Sequence, residues 1–263
     1  MPRSIWKGAV TFGLVTIPVS LYTATDEKQF KFNMLHENDG GRIKYKRVCA
    51  TDDEEVPWDE IVRGYEYEKG RYVTFTDEEL DTAMGDMARA VDVLHFVPLE
   101  QIDPILFQKS YYLAPEATGV KAYKLLVQAL EKSNKVAIAR VALREKEHLV
   151  TLRVKDGVFV METMFWPDEI REPQFEELGK TVDIRKTELD MALSLIDNLS
   201  QDFDAKEYVD RTREAIQTMI DKKIEGEEIV APEGAEPAPV VDLMAALKAS
   251  VEATKARKEA KTS

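Results

Sequence analysis

Short segments in which apolar and polar residues alternate dominate the chain up to about residue 181. They are rich in β-branched and aromatic residues, and this combination favours β-strands. We therefore expect a mainly β body with some helix, closed or barrel-like, because closure removes exposed strand edges. The predicted strands are residues 42–48, 71–75, 92–97, 109–114, 135–143, 148–154 and 158–166.

The opening stretch, residues 5–25, has two interpretations. Arg3 and Lys7 accompany a mostly apolar run that ends at small residues, which is the outline of a secretory signal peptide. A signal peptide needs an unbroken apolar helix, whereas Gly13, Pro18 and several hydroxyl-bearing side chains interrupt this run. The pattern favours two short strands joined near Gly13.

Two helices are predicted to interrupt the strands. Thr76 and Glu79 have the spacing of a capping box, which predicts a short helix after Thr76. Residues 119–133 have apolar positions at helical spacing. The core-facing side chains of this second helix are expected to be Tyr123, Leu126, Val127 and Leu130.

After Lys180 the apolar spacing becomes helical. Thr187 is the expected N-cap of a helix that carries Leu189, Leu193, Ile196 and Leu199 on one face. The face predicted for a following helix consists of Tyr208, Thr212, Ala215, Ile216, Met219 and Ile220.

The last part of the chain changes composition again. Residues 226–240 are rich in proline and acidic residues, which is typical of a flexible linker. Residues 241–263 predict a short helix from Asp242, followed by a basic tail; its apolar stripe is Leu243, Ala246, Leu247 and Val251. A lone helix of this length is marginal in water, so it either folds on a partner or docks on its own body.

Composition indicates a soluble cytoplasmic protein. Cys49 is the only cysteine, so an intramolecular disulfide is impossible. No apolar run approaches the roughly 20 residues that a membrane helix needs, so we expect no membrane contact. The length of 263 residues predicts one substantial domain with an appendage.

The charge is unevenly distributed. A formal net charge of −13 by itself argues against a nucleic-acid partner. Basic residues nevertheless concentrate in residues 28–47 and 121–155, while residues 51–60 are strongly acidic. Each basic segment is compatible with an ordinary solvated surface, but two of them in an acidic chain suggest a surface that binds an anion in one place and repels it elsewhere.

Motifs for catalysis or metal binding are not found in the sequence. It contains no phosphate-binding glycine loop, no HExxH and no nucleophile elbow, and His36, His95 and His148 lack metal-ligand spacing. The acidic runs 52–55 and 77–79 contain oxygen ligands of the kind that divalent cations prefer. Adjacent carboxylates on a loop or at a helix N-terminus are more often solvated or stabilised by the helix dipole, and we favour that interpretation here. We expect no catalytic residue, no metal and no cofactor.

Three stretches together resemble the bacterial Ku family, the DNA-end-binding proteins of non-homologous end joining. They are IWKGAVTFGLVTIPVSLYTAT at residues 5–25, FKFNMLHENDGGRIKYKRVC at 30–49 and FWPDEIREP at 165–173. The similarity extends over nearly the whole chain, including the terminal DLMAALKASVE. One departure is that many similar proteins have a second cysteine three positions after the first, where this chain has Asp52. A zinc knuckle at Cys49 is therefore not expected, because one thiolate cannot supply the usual ligands.

The resemblance implies a homodimeric ring through which a DNA duplex threads, with each chain supplying a Ku-type β-barrel and a DNA-encircling arm. Such a ring contacts phosphates rather than base edges, so it needs basic residues along its bore. Trp6 and Phe12 are then core or interface residues, and the helices of residues 186–224 either form the dimer interface or pack on their own barrel. The expected DNA-binding residues are Lys31, Arg42, Lys44, Lys46 and Arg47 on the arm, and Lys121, Lys124, Lys132, Lys135 and Arg140 around the cradle.

The resemblance also implies an organisation and a protein partner. Residues 1–185 would form the barrel core and arm, 186–225 the helical part of the core, 226–240 the linker and 241–263 a C-terminal helix with a short basic tail. This helix is expected to recruit an ATP-dependent DNA ligase through Leu243, Leu247 and Val251. A protein-only interaction scaffold and a metal-dependent enzyme are the alternatives from other functional classes. The resemblance places the protein in the cytoplasm, associated with the nucleoid.

Overall fold

The computed structural model describes residues 3–84, 90–143, 146–226 and 246–253, in two compact units, Met1–Glu172 and Pro173–Ser263. The described strands are β1 (Trp6–Phe12), β2 (Val15–Thr23), β3 (Arg63–Glu68), β4 (Arg71–Phe75), β5 (Ala90–Val97), β6 (Phe107–Pro115), β7 (Val136–Leu143), β8 (Lys146–Lys155) and β9 (Val158–Met164). The helices are α1 (Asp77–Met84), α2 (Val120–Ser133), α3 (Lys186–Leu199) and α4 (Arg211–Glu225), and residues 246–253 are also helical.

A closed barrel forms the centre of the first unit, with strand order β1–β2–β6–β9–β8–β7–β5. Neighbouring strands are antiparallel, except that β1 and β5 pair in parallel and so close the barrel. The first two strands are joined by a two-residue turn in which Gly13 has a φ of 57°, a value that glycine adopts at little cost. The predicted β-barrel with helices is confirmed, as is the predicted pair of strands at the start of the chain.

Alternate barrel residues point into an apolar core. On β2, for example, Ile17, Val19 and Leu21 are fully buried, and they join inward residues of the other strands in one cluster. This is the alternation expected of a sheet with one face buried. A smaller cluster around Ile102 and Ile138 lies on the outer side of β7 and β9.

Helix α2 covers one end of the barrel. Its buried residues are Tyr123, Leu126, Val127 and Leu130, as predicted, and they join the barrel core. The start of this helix lies very close to β2, because a Cβ atom added to Gly119 would be 3.0 Å from the carbonyl oxygen of Pro18. A residue with a side chain would therefore push the helix away from the barrel.

The chain leaves the barrel after β2 and returns at β5; we call residues 24–84 the arm. Its β3 and β4 form a separate two-stranded sheet. The predicted capping box is confirmed at the start of α1, where the Glu79 amide donates to Thr76 Oγ1 at 3.2 Å and the Thr76 amide donates to the Glu79 carboxylate at 2.9 Å. None of the described side chains from residue 24 to residue 82 is buried.

The predicted strand at residues 42–48 is wrong. Only its two ends form isolated bridges, Arg42 with Leu35 and Val48 with Glu55, and these belong to two different loops. A strand needs a continuous neighbour to satisfy its backbone, whereas this segment finds a different partner at each end. The residues between them are exposed.

The second unit contains α3 and α4. The prediction of Thr187 as the N-cap of α3 is wrong, since Arg185 occupies that position and its amide donates to the Glu188 carboxylate at 2.9 Å. The predicted stripe of Leu189, Leu193, Ile196 and Leu199 is exposed, whereas the partly covered face of α3 contains Met191, Ala192 and Leu195. Helix α4 begins at its N-cap Asp210 and covers Ile216 and Ile220 partly, on the predicted face.

Two further predictions concern the C-terminal segment and the absence of a membrane helix. The linker beyond Gly226, as well as Leu243 and the basic tail, lies outside the described residues. Within the described residues, no helix has the length and apolarity to cross a lipid bilayer.

Candidate nucleic-acid interface

All ten basic side chains predicted to contact DNA are exposed. Five lie on the arm, and the other five lie on α2, on the turn after it and on β7. Exposure is the first requirement for a phosphate contact, because a lysine or arginine buried in the core could not reach the DNA backbone.

Arg42 and Arg47 are presented by two small loops, residues 34–43 and 47–56. In the first loop, the Ile43 amide donates to the Met34 carbonyl at 3.0 Å and the His36 amide donates to the Gly41 carbonyl at 2.8 Å. The loop's turn is held by the Asp39 carboxylate, which accepts from the Gly41 amide at 2.8 Å. These short-range bonds fix the backbone on either side of Arg42 although no apolar core lies beneath it.

Three of the arm cations are held in defined positions. Arg42 donates a hydrogen bond to the amide oxygen of Asn33. Lys46 forms an ion pair with Glu55 at 2.6 Å, and the guanidinium of Arg47 lies over the ring of Trp58, 4.7 Å from its centroid. Arg42 and Arg47 keep their full charge in these contacts, because neither an amide oxygen nor an aromatic ring neutralises a guanidinium.

The lysines of α2 share the solvent side of the helix. Lys121, Lys124 and Lys132 lie opposite the buried face that packs on the barrel. Lys135 follows the helix and precedes β7, beyond the left-handed Asn134 that ends α2. The three lysines of α2 therefore lie along one exposed, basic face of this helix.

Arg140 is separated from this group. It lies on β7 with its side chain on the outer wall of the barrel, directly across from Asp92 on β5. The Asp92 carboxylate accepts a hydrogen bond from Thr11 at 2.9 Å. A carboxylate across the ladder reduces the local positive potential, so Arg140 is the least favourable of the ten predicted DNA contacts.

Aromatic residues on the arm were not among the predicted site residues. Tyr65, Tyr67 and Tyr72 are exposed on β3 and β4, and the Arg71 guanidinium lies 5.5 Å from the ring centroid of Tyr67. Tyr65 and Tyr67 alternate with glutamates, which is a strand signal that the sequence carries but the predicted strands do not include.

The acidic turn at residues 49–54 has a structural role. The Cys49 amide donates to the Glu54 carbonyl at 2.8 Å, and the Asp52 carboxylate accepts from the Glu54 amide at 3.1 Å. Asp52 thus stabilises this turn. Among the residues that the structure describes, no group of three or more histidine, cysteine, aspartate or glutamate side chains is placed to hold a metal ion.

The predicted partner-binding residues are described in part. Leu247 and Val251 are half-buried and lie one helical turn apart in residues 246–253. They share one face of the helix, as the sequence pattern predicts.

Comparisons with known proteins converge on one family. A family model described as the Ku70/Ku80 β-barrel domain matches residues 11–191. A protein from Frankia casuarinae named non-homologous end joining protein Ku is 51% identical over 255 residues, covering 97% of this chain and 64% of that one. Proteins of the same name from Heliobacterium modesticaldum and Mycobacterium tuberculosis are 44% and 40% identical, covering 98% and 95% of this chain and 94% and 95% of theirs. The chain thus spans somewhat less than two thirds of the Frankia relative's length and nearly all of the other two.

Proposed function

This chain belongs to the Ku family, and from that membership we propose that it binds the ends of double-stranded DNA in non-homologous end joining. Binding is independent of base sequence and includes no catalytic step of its own. The observation that carries the proposal is the exposure of all ten predicted DNA-binding side chains in a chain whose relatives are named as end-joining Ku proteins. The protein then works in the cytoplasm, at the nucleoid.

Phosphate contacts supply the affinity in this proposal. Lysine and arginine side chains that neutralise phosphates release counterions, so binding weakens steeply with salt and does not depend on sequence. Arg42 and Arg47 are held by Asn33 and Trp58, which lowers the entropic cost of placing them against the DNA backbone. The acidic remainder of a chain with a net charge of −13 repels DNA from other surfaces, which favours threading of an end.

A homodimeric ring is supported by apolar surface that one chain leaves uncovered. Trp58, Tyr65 and Tyr72 on the arm are 62–72% exposed, and Leu189, Leu193 and Ile196 on α3 are 49–59% exposed. The three α3 residues follow one another at helical spacing, and an exposed apolar stripe of this kind marks a protein interface. A second copy is the simplest partner for a symmetric assembly. In the proposed ring, each chain supplies half of the wall around the duplex.

Recruitment of an ATP-dependent DNA ligase is the proposed role of the C-terminal helix. Leu247 and Val251 form an apolar stripe, and the sequence before them is rich in proline and acidic residues. An amphipathic helix tethered to an end-binding protein raises the concentration of its partner at the break.

The experiment that tests the proposal is a gel-shift comparison of linear duplex DNA with the same DNA as a closed circle, over a series of salt concentrations. We expect salt-sensitive binding to the linear form alone. Equal binding to both forms would contradict end-threading. Absence of binding to either form would favour a protein-interaction scaffold, which is the second candidate function and uses the same exposed helix and arm surfaces.

A further inference from the structure

The two ends of the barrel differ in a way that DNA binding does not explain. One end is covered by α2, whose Tyr123 hydroxyl donates to the Leu113 carbonyl at 2.6 Å and accepts from the Phe159 amide at 2.8 Å. The opposite end, where β1 begins and β7 ends, has a cavity of about 360 Å³. Mouths of β-barrels are common places for small-molecule sites, and this volume lies within their usual range.

The cavity is a continuation of the barrel interior. Trp6, Tyr111 and Leu143 point inwards on β1, β6 and β7 and form its apolar wall. Strand register places Thr163 and His148 on the same inward side, since they pair with Val150 and Val141 of the core. The residues that face the core thus change from aliphatic in the middle of the barrel to aromatic and polar at this mouth.

Two lysines give the mouth a positive charge. Lys109 and Lys146 both line the cavity, and their side chains are exposed to solvent. Lys109 is fixed at the rim because its amide donates to Thr163 Oγ1 at 3.2 Å, and Thr163 Oγ1 in turn donates to the Lys109 carbonyl at 3.4 Å. Lys146 lies 3.4 Å from the carboxylate of Glu169, an exposed ion pair that an anionic ligand must compete with.

His148 adds a neutral polar group to the same wall. Burial, reinforced by the neighbouring charge of Lys146, lowers the pKa of His148 below its usual value of 6.5. The imidazole is therefore uncharged at neutral pH. One ring nitrogen donates to the Leu143 backbone, which leaves the other as a hydrogen-bond acceptor. Gln108 adds a further polar side chain to the lining of this cavity.

This combination of groups is suited to a nucleotide. Aromatic side chains stack on a nucleobase whatever its identity, at about 1–3 kcal/mol per base in single-strand-binding proteins. Lysines bind phosphate as point charges, and a neutral imidazole or carboxamide pairs with base or sugar edges. An uncharged lipid would leave the lysines unused, and inorganic phosphate alone would leave the aromatic wall unused.

We propose that the open barrel mouth is a binding site for a nucleoside monophosphate, with the base against Trp6 and Tyr111 and the phosphate at Lys109 and Lys146. The ligand is either a free nucleotide or the terminal nucleotide of a DNA strand, which share this chemistry. The site is separate from the ten predicted DNA contacts, and it stands whether or not the chain threads onto duplex ends.

The test uses the full chain with Trp6 as the reporter. Trp58→Phe and Trp166→Phe remove the other two tryptophans, so the remaining fluorescence comes from the cavity wall. We expect adenosine monophosphate to quench this fluorescence saturably, and adenosine or inorganic phosphate alone to bind at least about tenfold more weakly. Lys109→Gln and Lys146→Gln should each weaken binding of the nucleotide about tenfold, the loss expected for one charge-assisted hydrogen bond.

A matched control and a competition assay complete the design. Lys155→Gln removes a lysine at the other end of β8 and should leave the nucleotide affinity unchanged. A single-stranded octamer with a 5′-phosphate should displace the nucleotide if strand ends are the ligand, and should fail to displace it if the free nucleotide is. No quenching at millimolar nucleotide, or equal affinity in both cavity-lysine variants and the wild type, would overturn the proposal.

Discussion

The hydroxyl of Tyr123 on α2 donates a hydrogen bond to the backbone carbonyl of Leu113 on β6, at 2.6 Å. The same hydroxyl accepts from the amide of Phe159 on β9 at 2.8 Å, and the two rings meet edge to face with centroids 4.6 Å apart. One phenol therefore satisfies two backbone groups on neighbouring barrel strands and fixes the helix over the barrel end. Burial raises the pKa of Tyr123, so the hydroxyl stays protonated and remains a donor throughout the physiological range.

Tyr123→Phe is expected to destabilise the protein by about 2 kcal/mol. The substitution keeps the ring packing but leaves a buried carbonyl and a buried amide without partners, which costs about 1–3 kcal/mol. Urea unfolding followed by circular dichroism measures the loss. Tyr65→Phe, at an exposed position on β3, is the control and should change stability by less than about 0.5 kcal/mol. Equal stabilities of the two variants would show that the Tyr123 bonds contribute little.

The core of the barrel could be predicted from the sequence because its pattern is dictated by burial. Residues of α2 at helical spacing and residues of β2 at alternating spacing face the same interior, so apolar periodicity marks both. For β4 to β9, the predicted strand ends agree with the observed ends within a few residues. Local signals also sufficed where side chains close a turn, as Thr76 and Glu79 do at α1.

The secondary structure of the arm was harder to predict, because its side chains are not buried in an apolar core. Residues 42–48 have the composition of a strand, but strand formation depends on a partner that the sequence does not identify, and Arg42 and Val48 pair in different loops. The same difficulty applies to α3, where Leu193 and Leu195 lie on different faces and both are apolar. A helix with apolar residues on more than one face does not reveal which face its own chain covers.

The barrel mouth could not be predicted from spacing at all. Lys109, Lys146 and His148 come from two strands and meet Trp6 only because the barrel closes between β1 and β5. Their register, rather than any motif, brings them together.

Acidification is expected to destabilise the protein through His148. The folded-state pKa of this residue is lowered, mainly by burial, so the unfolded chain binds the proton more tightly than the folded protein does. Its contribution to stability is therefore fully present above the usual pKa of 6.5 and is lost as the pH falls through the lower folded value. The melting temperature of the wild type should fall more steeply between about pH 7 and pH 5 than that of His148→Gln.

His36→Gln is the control for this pH series. His36 is exposed on the arm and its Nδ1 lies 3.0 Å from the Asp39 carboxylate. A differential scanning fluorimetry series on this variant measures what removal of an exposed histidine does by itself to the melting curve. Parallel curves for the wild type and His148→Gln would contradict the role of burial at His148.

Charge reversal at Arg42 and Lys44 is expected to weaken binding to linear duplex DNA and reduce its salt dependence. Each lost phosphate contact lowers the slope of log affinity against log salt by roughly one unit, so the double variant should lose about two units without a change in sequence preference. Fluorescence anisotropy over a salt series measures the slope. Lys155→Glu with Lys180→Glu makes the same change in net charge at positions outside the predicted set and should leave the slope unchanged. An unchanged slope in the Arg42 and Lys44 variant would show that these residues do not line the bore.

Truncation after Val240 is expected to spare binding to DNA ends and to abolish stimulation of an ATP-dependent end-joining ligase. The removed segment contains the helix at residues 246–253 but none of the ten predicted DNA contacts. Ligation of a linear plasmid measures the stimulation, and a gel shift on the same DNA confirms that the end is still bound. Retained stimulation by the truncated protein would place the ligase contact in the body of the protein instead.

A point variant separates the apolar stripe from the rest of that segment. Leu247→Asp puts a charge on the half-buried face of the helix, where an apolar contact with the ligase would have to desolvate it. Ala249→Asp adds the same charge at an exposed position two residues further on and serves as the matched control. We expect the Leu247 variant to lose stimulation as fully as the truncation does, and the Ala249 variant to keep it. Because both variants retain the whole chain and the same net charge, a loss in both would show that the added charge, rather than the stripe, disturbs the contact.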